Sequence, residues 1–183
     1  MNFKPLRDYS EHDVLNFFKL DVATGSKATP VVIANSGWTH NNGTPKVAYN
    51  IAAGQNNGNI YSPRWDIYPA VRKAVAGEKP LGLLLYDVQE VNEYNYPLIW
   101  DKQRREERQT AVSGQAVPIV GKGVFTVGPF ASGETPAPGK FLVVKGTGDL
   151  GVATSGNGNG AFGEFLGIKD AQGYALVRIN CYL

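Results

Sequence analysis

Apolar residues follow two spacings along the chain, helical near the start and alternating towards the end. Ser10-Glu-His-Asp13 can form a capping box, with Asp in place of the usual Glu or Gln, and Val14, Phe17 and Phe18 recur at helical spacing behind it. The pattern predicts a short helix of roughly two to three turns, marginal unless it packs on something. Small and turn-forming residues from Asp21 to Pro30 end it. A second short helix is predicted over residues 69–77 through Val71, Ala74 and Val75, stopping at Gly77. Leu81 to Val88 reads as a strand buried on both faces. From residue 111 the period is two: Val117-Pro-Ile-Val120 and Val124-Phe-Thr-Val127 flank Gly121-Lys-Gly123 as a hairpin. Phe141-Leu-Val-Val-Lys145 and Phe165-Leu-Gly-Ile-Lys169 read as similar strands of one barrel or sandwich. The chain closes on a hairpin around Asp170-Ala-Gln-Gly173, whose last strand puts Ala175, Val177, Ile179 and Cys181 on one face. Asp101 to Gln109 is all charge and amide with no apolar stripe, hence a solvated helix or an extended loop.

Composition narrows the class. The 183 residues fit one domain, or one domain with an arm. Asn42-Gly43 and Asn57-Gly58 sit in breakers between short β-branched runs and read first as turn chemistry. Eighteen basic and sixteen acidic residues leave a net charge of +2, which disfavours a protein held to nucleic acid by phosphate contacts. The single cysteine, Cys181, excludes an intrachain disulfide framework and a zinc site built on several thiolates. Pro80 to Tyr86, the longest dense apolar run, falls far short of the roughly 20 residues a membrane helix needs. Met1-Asn-Phe-Lys-Pro-Leu-Arg-Asp8 lacks the apolar core of a secretory signal.

Candidate chemistry is sparse. His12 and His40 have no second histidine or cysteine at metal-ligand spacing. Gly158-Asn-Gly-Ala-Phe-Gly163 matches a dinucleotide-binding glycine pattern, but a strand follows it where that site needs a helix. Asp87, Glu90 and Glu93 cluster in sequence, and a glycosidase using Glu90 or Glu93 is the least favoured reading. Cys181 reads as a buried structural thiol. The expectation is therefore a non-enzyme with no catalytic residue, no cofactor and no metal. Trp38, Trp65 and Trp100, with Tyr61, Tyr68, Tyr94 and Tyr96, fall near turns. They suit a core or subunit interface first and sugar stacking second. The mixed-sign run Arg104, Arg105, Glu106, Glu107 and Arg108 suits intersubunit ion pairs or a plain solvated surface.

The closing stretch Leu166-Gly-Ile-Lys-Asp-Ala-Gln-Gly-Tyr-Ala-Leu-Val-Arg-Ile-Asn180 resembles the final hairpin of phage capsid decoration, or cement, proteins. Ala116 to Val127, a Pro-containing strand before a Gly-rich turn, and Pro136 to Val144, a strand after a Pro-Gly turn, are similar to other parts of that family. The likeness covers residues 111–183, and residues 1–110 depart from the small members. The resemblance implies a mainly β fold: a compact β-barrel or β-sandwich (β-tulip-like) with long loops. Residues 1–30 would be an N-terminal arm or short helix, and residues 31–183 a single β-rich domain with 110–183 as the barrel core. It also implies a capsid protein of the virion, made in the host cytoplasm. Such a protein binds the major capsid protein on the outside of an icosahedral shell, often as a homotrimer, with no nucleic acid or membrane partner. Phe3, Leu6, Val14, Phe17 and Phe18 become candidate capsid contacts by this likeness, equally explicable as residues packing on their own domain. Arg104 to Arg108 become candidate subunit contacts. The alternative is a carbohydrate- or receptor-binding module of a head or tail fibre, which would need Trp38, Trp65 or Trp100 exposed together.

Overall fold

The computed structural model describes residues 2–5, 13–22, 24–34, 70–155 and 160–182. The protein is mainly β. Its strands are β1 (Asn2–Pro5), β2 (Val14–Leu20), β3 (Pro30–Ile33), β4 (Ala70–Lys73), β5 (Gly82–Leu84), β6 (Asp87–Gln89), β7 (Thr110–Val112), β8 (Ala116–Val120), β9 (Lys122–Gly128), β10 (Phe141–Lys145), β11 (Asp149–Ala153), β12 (Gly163–Phe165) and β13 (Ala175–Asn180). Among the described residues a short helix, α1 (Lys102–Arg108), follows a 3-10 turn at Leu98–Trp100.

Strands β2-β4-β3-β5-β8 close into a barrel, and β1-β9-β13-β12-β10-β11 form an antiparallel six-stranded sheet. Strands β6 and β7 pair in parallel beside them. The barrel interior holds Leu20, Val31, Val71, Leu84, Val88, Val117 and Ile119. A second core lies between barrel and sheet. There Leu83, Leu85 and Val120 meet Phe125, Leu142, Phe165, Val177 and Ile179. Alternate residues of β5 and β8 thus face the two cores, Leu84 and Ile119 inward and Leu83 and Val120 towards the sheet. Burial of β5 on both faces, expected from its unbroken apolar run, has this cause.

Several sequence-based expectations are corrected. Val14–Leu20, expected as a helix, is a barrel strand. A bulge against β8 between Leu15 and Phe18 turns Asn16 and Phe17 outward together, so the inward residues acquire a spacing that imitates a helix. Residues 70–73, also expected helical, form β4 between β2 and β3, with Val71 fully buried. The Val117–Val127 hairpin does not form. β8 is paired with β2 and β5, and β9 with β1 and β13, so neither has a side left for the other. The closed barrel consequently draws on β2 to β8, whereas residues beyond 121 supply the open sheet. Residues 1–30 contribute β1 to that sheet and β2 to the barrel.

Other expectations hold. β12 and β13 form the closing antiparallel hairpin with Phe165 opposite Val177. The Asp170 carboxylate accepts from the backbone N–H groups of Gln172 at 3.0 Å and Tyr174 at 2.7 Å, and Gly173 takes φ +90°. Ala175, Val177 and Ile179 are buried, while Arg178 is exposed. Residues 102–108 resolve to the solvated helix, with no buried residue. Asp101 caps it by accepting from the Arg104 N–H at 3.2 Å.

β1 is the outer strand on the β9 side of the sheet; at the other edge β11 is guarded, where the Ala131 N–H donates to the Leu150 carbonyl and the Glu134 carboxylate accepts from the Val152 N–H at 2.7 Å. A turn after β4 is strapped by Glu78, which accepts from both Arg72 Nη atoms and from the Val75 N–H. Those hydrogen bonds, Arg72 foremost, lower its pKa to about 2.

Barrel and sheet are joined at Gly121. Its N–H donates to the Asp13 carbonyl at 2.9 Å, its carbonyl accepts from the Cys181 N–H at 2.8 Å, and the Tyr182 ring lies where a Cβ would stand. The Tyr182 hydroxyl donates to the same Asp13 carbonyl at 3.3 Å. Gly121→Ala is therefore expected to lower unfolding stability by about 1–3 kcal/mol through overpacking. In a Tyr182→Ala background the penalty should largely vanish. Equal denaturation midpoint shifts in both backgrounds would show that the ring is not the constraint.

Candidate functional site

The most distinctive surface feature is the loop from Glu90 to Asp101 that leads into α1. A buried asparagine organises it. The Asn92 side-chain oxygen accepts from the N–H groups of Tyr94 at 2.9 Å and Tyr96 at 3.0 Å, while its own N–H donates to the Tyr96 carbonyl at 2.9 Å. Asn95 turns the chain at φ +62°, which asparagine tolerates. The Leu98 N–H donates to the Glu90 carbonyl, and its buried side chain plugs the loop into the body. A bridge between Val91 and Pro97 completes the closure.

This backbone holds three aromatic side chains outward: Tyr94 is 66%, Tyr96 68% and Trp100 67% exposed. With Asn92, Pro97, Asp101 and Arg104 they line an open depression of about 340 Å³. Its charged end is a network. Arg104 lies 5.3 Å from the Tyr94 ring centroid, a cation–π distance, and its Nη1 donates to Glu93 at 2.7 Å. Arg108 pairs with the same carboxylate at 2.6 Å, and Arg104 Nε stands 3.4 Å from Asp101 Oδ2. The Glu93 carboxyl is held below its ordinary range by its own backbone N–H first, then by Arg108 and Arg104. Two carboxylates balance two guanidinium groups. Beneath, Lys27 Nζ donates to the Arg108 carbonyl and to Gln109 Oε1, capping the helix C-terminus.

The sequence-predicted residues fall in different places. Val14 packs against the core shared with the sheet, and Phe18 against the barrel core. Phe17 is exposed and meets Phe18 edge-on at 5.5 Å. Phe3 lies in β1 opposite Val127; Leu6 lies outside the described residues, as do Trp38, Trp65, His12 and His40. In the charged run, Arg104 and Arg108 are engaged with Glu93, Glu106 pairs loosely with Lys102, and Glu107 accepts from Gln103. Arg105 keeps a buried Nε with no hydrogen-bond partner among the described residues.

The acidic trio is not convergent in role. Asp87 accepts from the Lys27 N–H at 2.8 Å, and Glu93 serves the arginine pair. Gly163 opens strand β12, so the glycine pattern lacks the helix a pyrophosphate would need. Burial pushes the Cys181 thiol up to about 12, which keeps it protonated and unreactive. Among the described residues no cluster of three or more His, Cys, Asp or Glu could hold a metal, and no helix is long and apolar enough to cross a membrane.

Tyr94, Tyr96 and Trp100 were visible in the sequence as aromatics near turns, but Asn92 and Asp101 were not singled out. The available signal was an asparagine two and four residues before tyrosines, ahead of Pro97. Asn92→Ala is expected to destabilise the protein by about 1–3 kcal/mol, because two backbone donors lose their acceptor. Asn92→Asp, which keeps an acceptor oxygen, should cost much less. Equal losses in chemical denaturation would remove Asn92 as the organiser.

No protein-family model matches the chain, and no curated protein and no solved structure matches it.

Proposed function

We propose that this chain is a phage capsid decoration protein, a non-enzymatic component that binds the outer surface of an icosahedral shell and braces it. The observation that carries the reading is the mainly β body, with its closed barrel and open six-stranded sheet. The first residues of the chain attach by strand addition, from Asn2 opposite Gly128 to Pro5 opposite Phe125, as the outermost strand of the sheet. The resemblance of residues 111–183 to decoration proteins implies an N-terminal arm that adds to a capsid sheet, whereas β1 pairs within the protein's own sheet, so the proposal of shell decoration rests on the body. Exposed Phe17, on β2, is the described side chain offered to the shell, since Val14 and Phe18 serve the protein's own cores.

In this reading the partner is the major capsid protein, and a homotrimer repeats each modest contact around a symmetry axis. Avidity then replaces single-site affinity. A second reading, a carbohydrate- or receptor-binding module of a head or tail fibre, draws on the exposed Tyr94, Tyr96 and Trp100.

Copy number separates the two. Quantitative mass spectrometry of purified particles of the source virus should find this chain at a ratio to the shell protein near one or a simple fraction of it. A handful of copies per particle would transfer the chain to a fibre or vertex, and its absence would overturn the virion assignment.

A further inference from the structure

We infer that the depression bounded by Tyr94, Tyr96, Trp100, Asp101 and Arg104 is a binding site for a neutral saccharide. The inference rests on the second reading above, whose ligand class it names, and does not depend on shell decoration. Three properties of the site select this ligand class.

First, the site is preformed. Asn92 fixes the backbone that carries both tyrosines, and the Leu98 plug and the Val91–Pro97 bridge fix its ends. Little ordering of the loop is then required on binding. Its volume of about 340 Å³ lies at the small end of the range for small-ligand sites.

Second, the surface is amphipathic in the way a pyranose is. Aromatic rings accept the apolar C–H face of a sugar, and a polar end meets its hydroxyl edge. Asp101 uses one oxygen to cap α1 and retains acceptor capacity on the other, which is only 3.4 Å from Arg104 Nε. The Arg104 guanidinium has five donor hydrogens, and its bond to Glu93 leaves others for a hydroxyl. A wholly apolar partner, such as a run of prolines, would bury these charges without replacing their water.

Third, the charge balances. Glu93 and Asp101 offset Arg104 and Arg108, so the site offers no net attraction to a phosphate, a sialic acid or a nucleic acid backbone.

The test uses the full-length chain in calorimetric titrations with cellohexaose, chitohexaose, maltohexaose and a mannan oligosaccharide. Heparin and a proline-rich decapeptide serve as the charged and apolar comparators. Saturable binding to at least one neutral probe is expected, unchanged by added salt. Trp100→Ala and Tyr96→Ala should each weaken it roughly tenfold or more, as expected for loss of a stacking ring. Phe17→Ala should leave it unchanged. These side chains are exposed, so circular dichroism should show the variants folded. Absence of binding to all four neutral probes overturns the inference. So does binding that survives both ring deletions, or binding confined to heparin or to the peptide. Particle occupancy of the same variants keeps the two claims apart: variants that lose the sugar but still coat the shell support both. Loss of occupancy with no sugar binding in the parent chain would make the platform a shell contact and overturn the saccharide site.

Discussion

The fold depends on a single-residue change of sheet at Gly121. Strands β8 and β9 are separated by that one residue, yet the first is a stave of the barrel and the second the second strand of the six-stranded sheet. Such a step leaves no room for a side chain when the C-terminal tail lies over it, and the Tyr182 ring occupies that space. Asp13, at the entry to β2, and Cys181, at the exit from β13, bond to the same glycine. Three distant parts of the chain thereby converge on one residue. The joint lies beside the shared core, in which Val120 of β8 and Phe125 of β9 meet Leu83, Phe165 and Val177.

With the barrel closed and the β11 edge of the sheet covered, many backbone pairing groups are used internally. Recognition then falls to side chains that project, and the loop from Glu90 to Asp101 projects three aromatics at once. The loop is rigid for the same reason that the body is: its backbone donors and acceptors are paired, here through one buried asparagine. The Glu93, Arg104 and Arg108 network ties it to α1, and Lys27 ties the end of α1 to the body near the start of β3. A surface so built suits binding, in which pre-organisation limits the entropy lost on association.

Much of the sheet was legible in the sequence, and the barrel far less so. The closing hairpin announced itself because Asp170 and Gly173 provide local turn chemistry and Ala175, Val177 and Ile179 alternate against a single core. β2 carries a helix-like pattern because a bulge breaks its alternation at Asn16 and Phe17, an effect of pairing with β8 that no local pattern records. The Val117 to Val127 segment was correctly β, but period two identifies a strand without naming its partner, and the partners here lie in different sheets. The same limit applied to the site. The aromatics were evident, whereas their exposure depends on Asn92 being buried and on Leu98 plugging the loop, both tertiary facts. The charged run alone is compatible with helix or loop, and the structure shows a helix capped by Asp101.

The most direct test of the proposed shell-decoration role is electron cryomicroscopy of virus particles purified from the source of this chain. The account predicts density for this fold at symmetry-related sites on the outside of the shell, with the Tyr94, Tyr96 and Trp100 loop directed away from the major capsid protein. A shell without this fold, or one in which that loop is buried against the capsid surface, would contradict it.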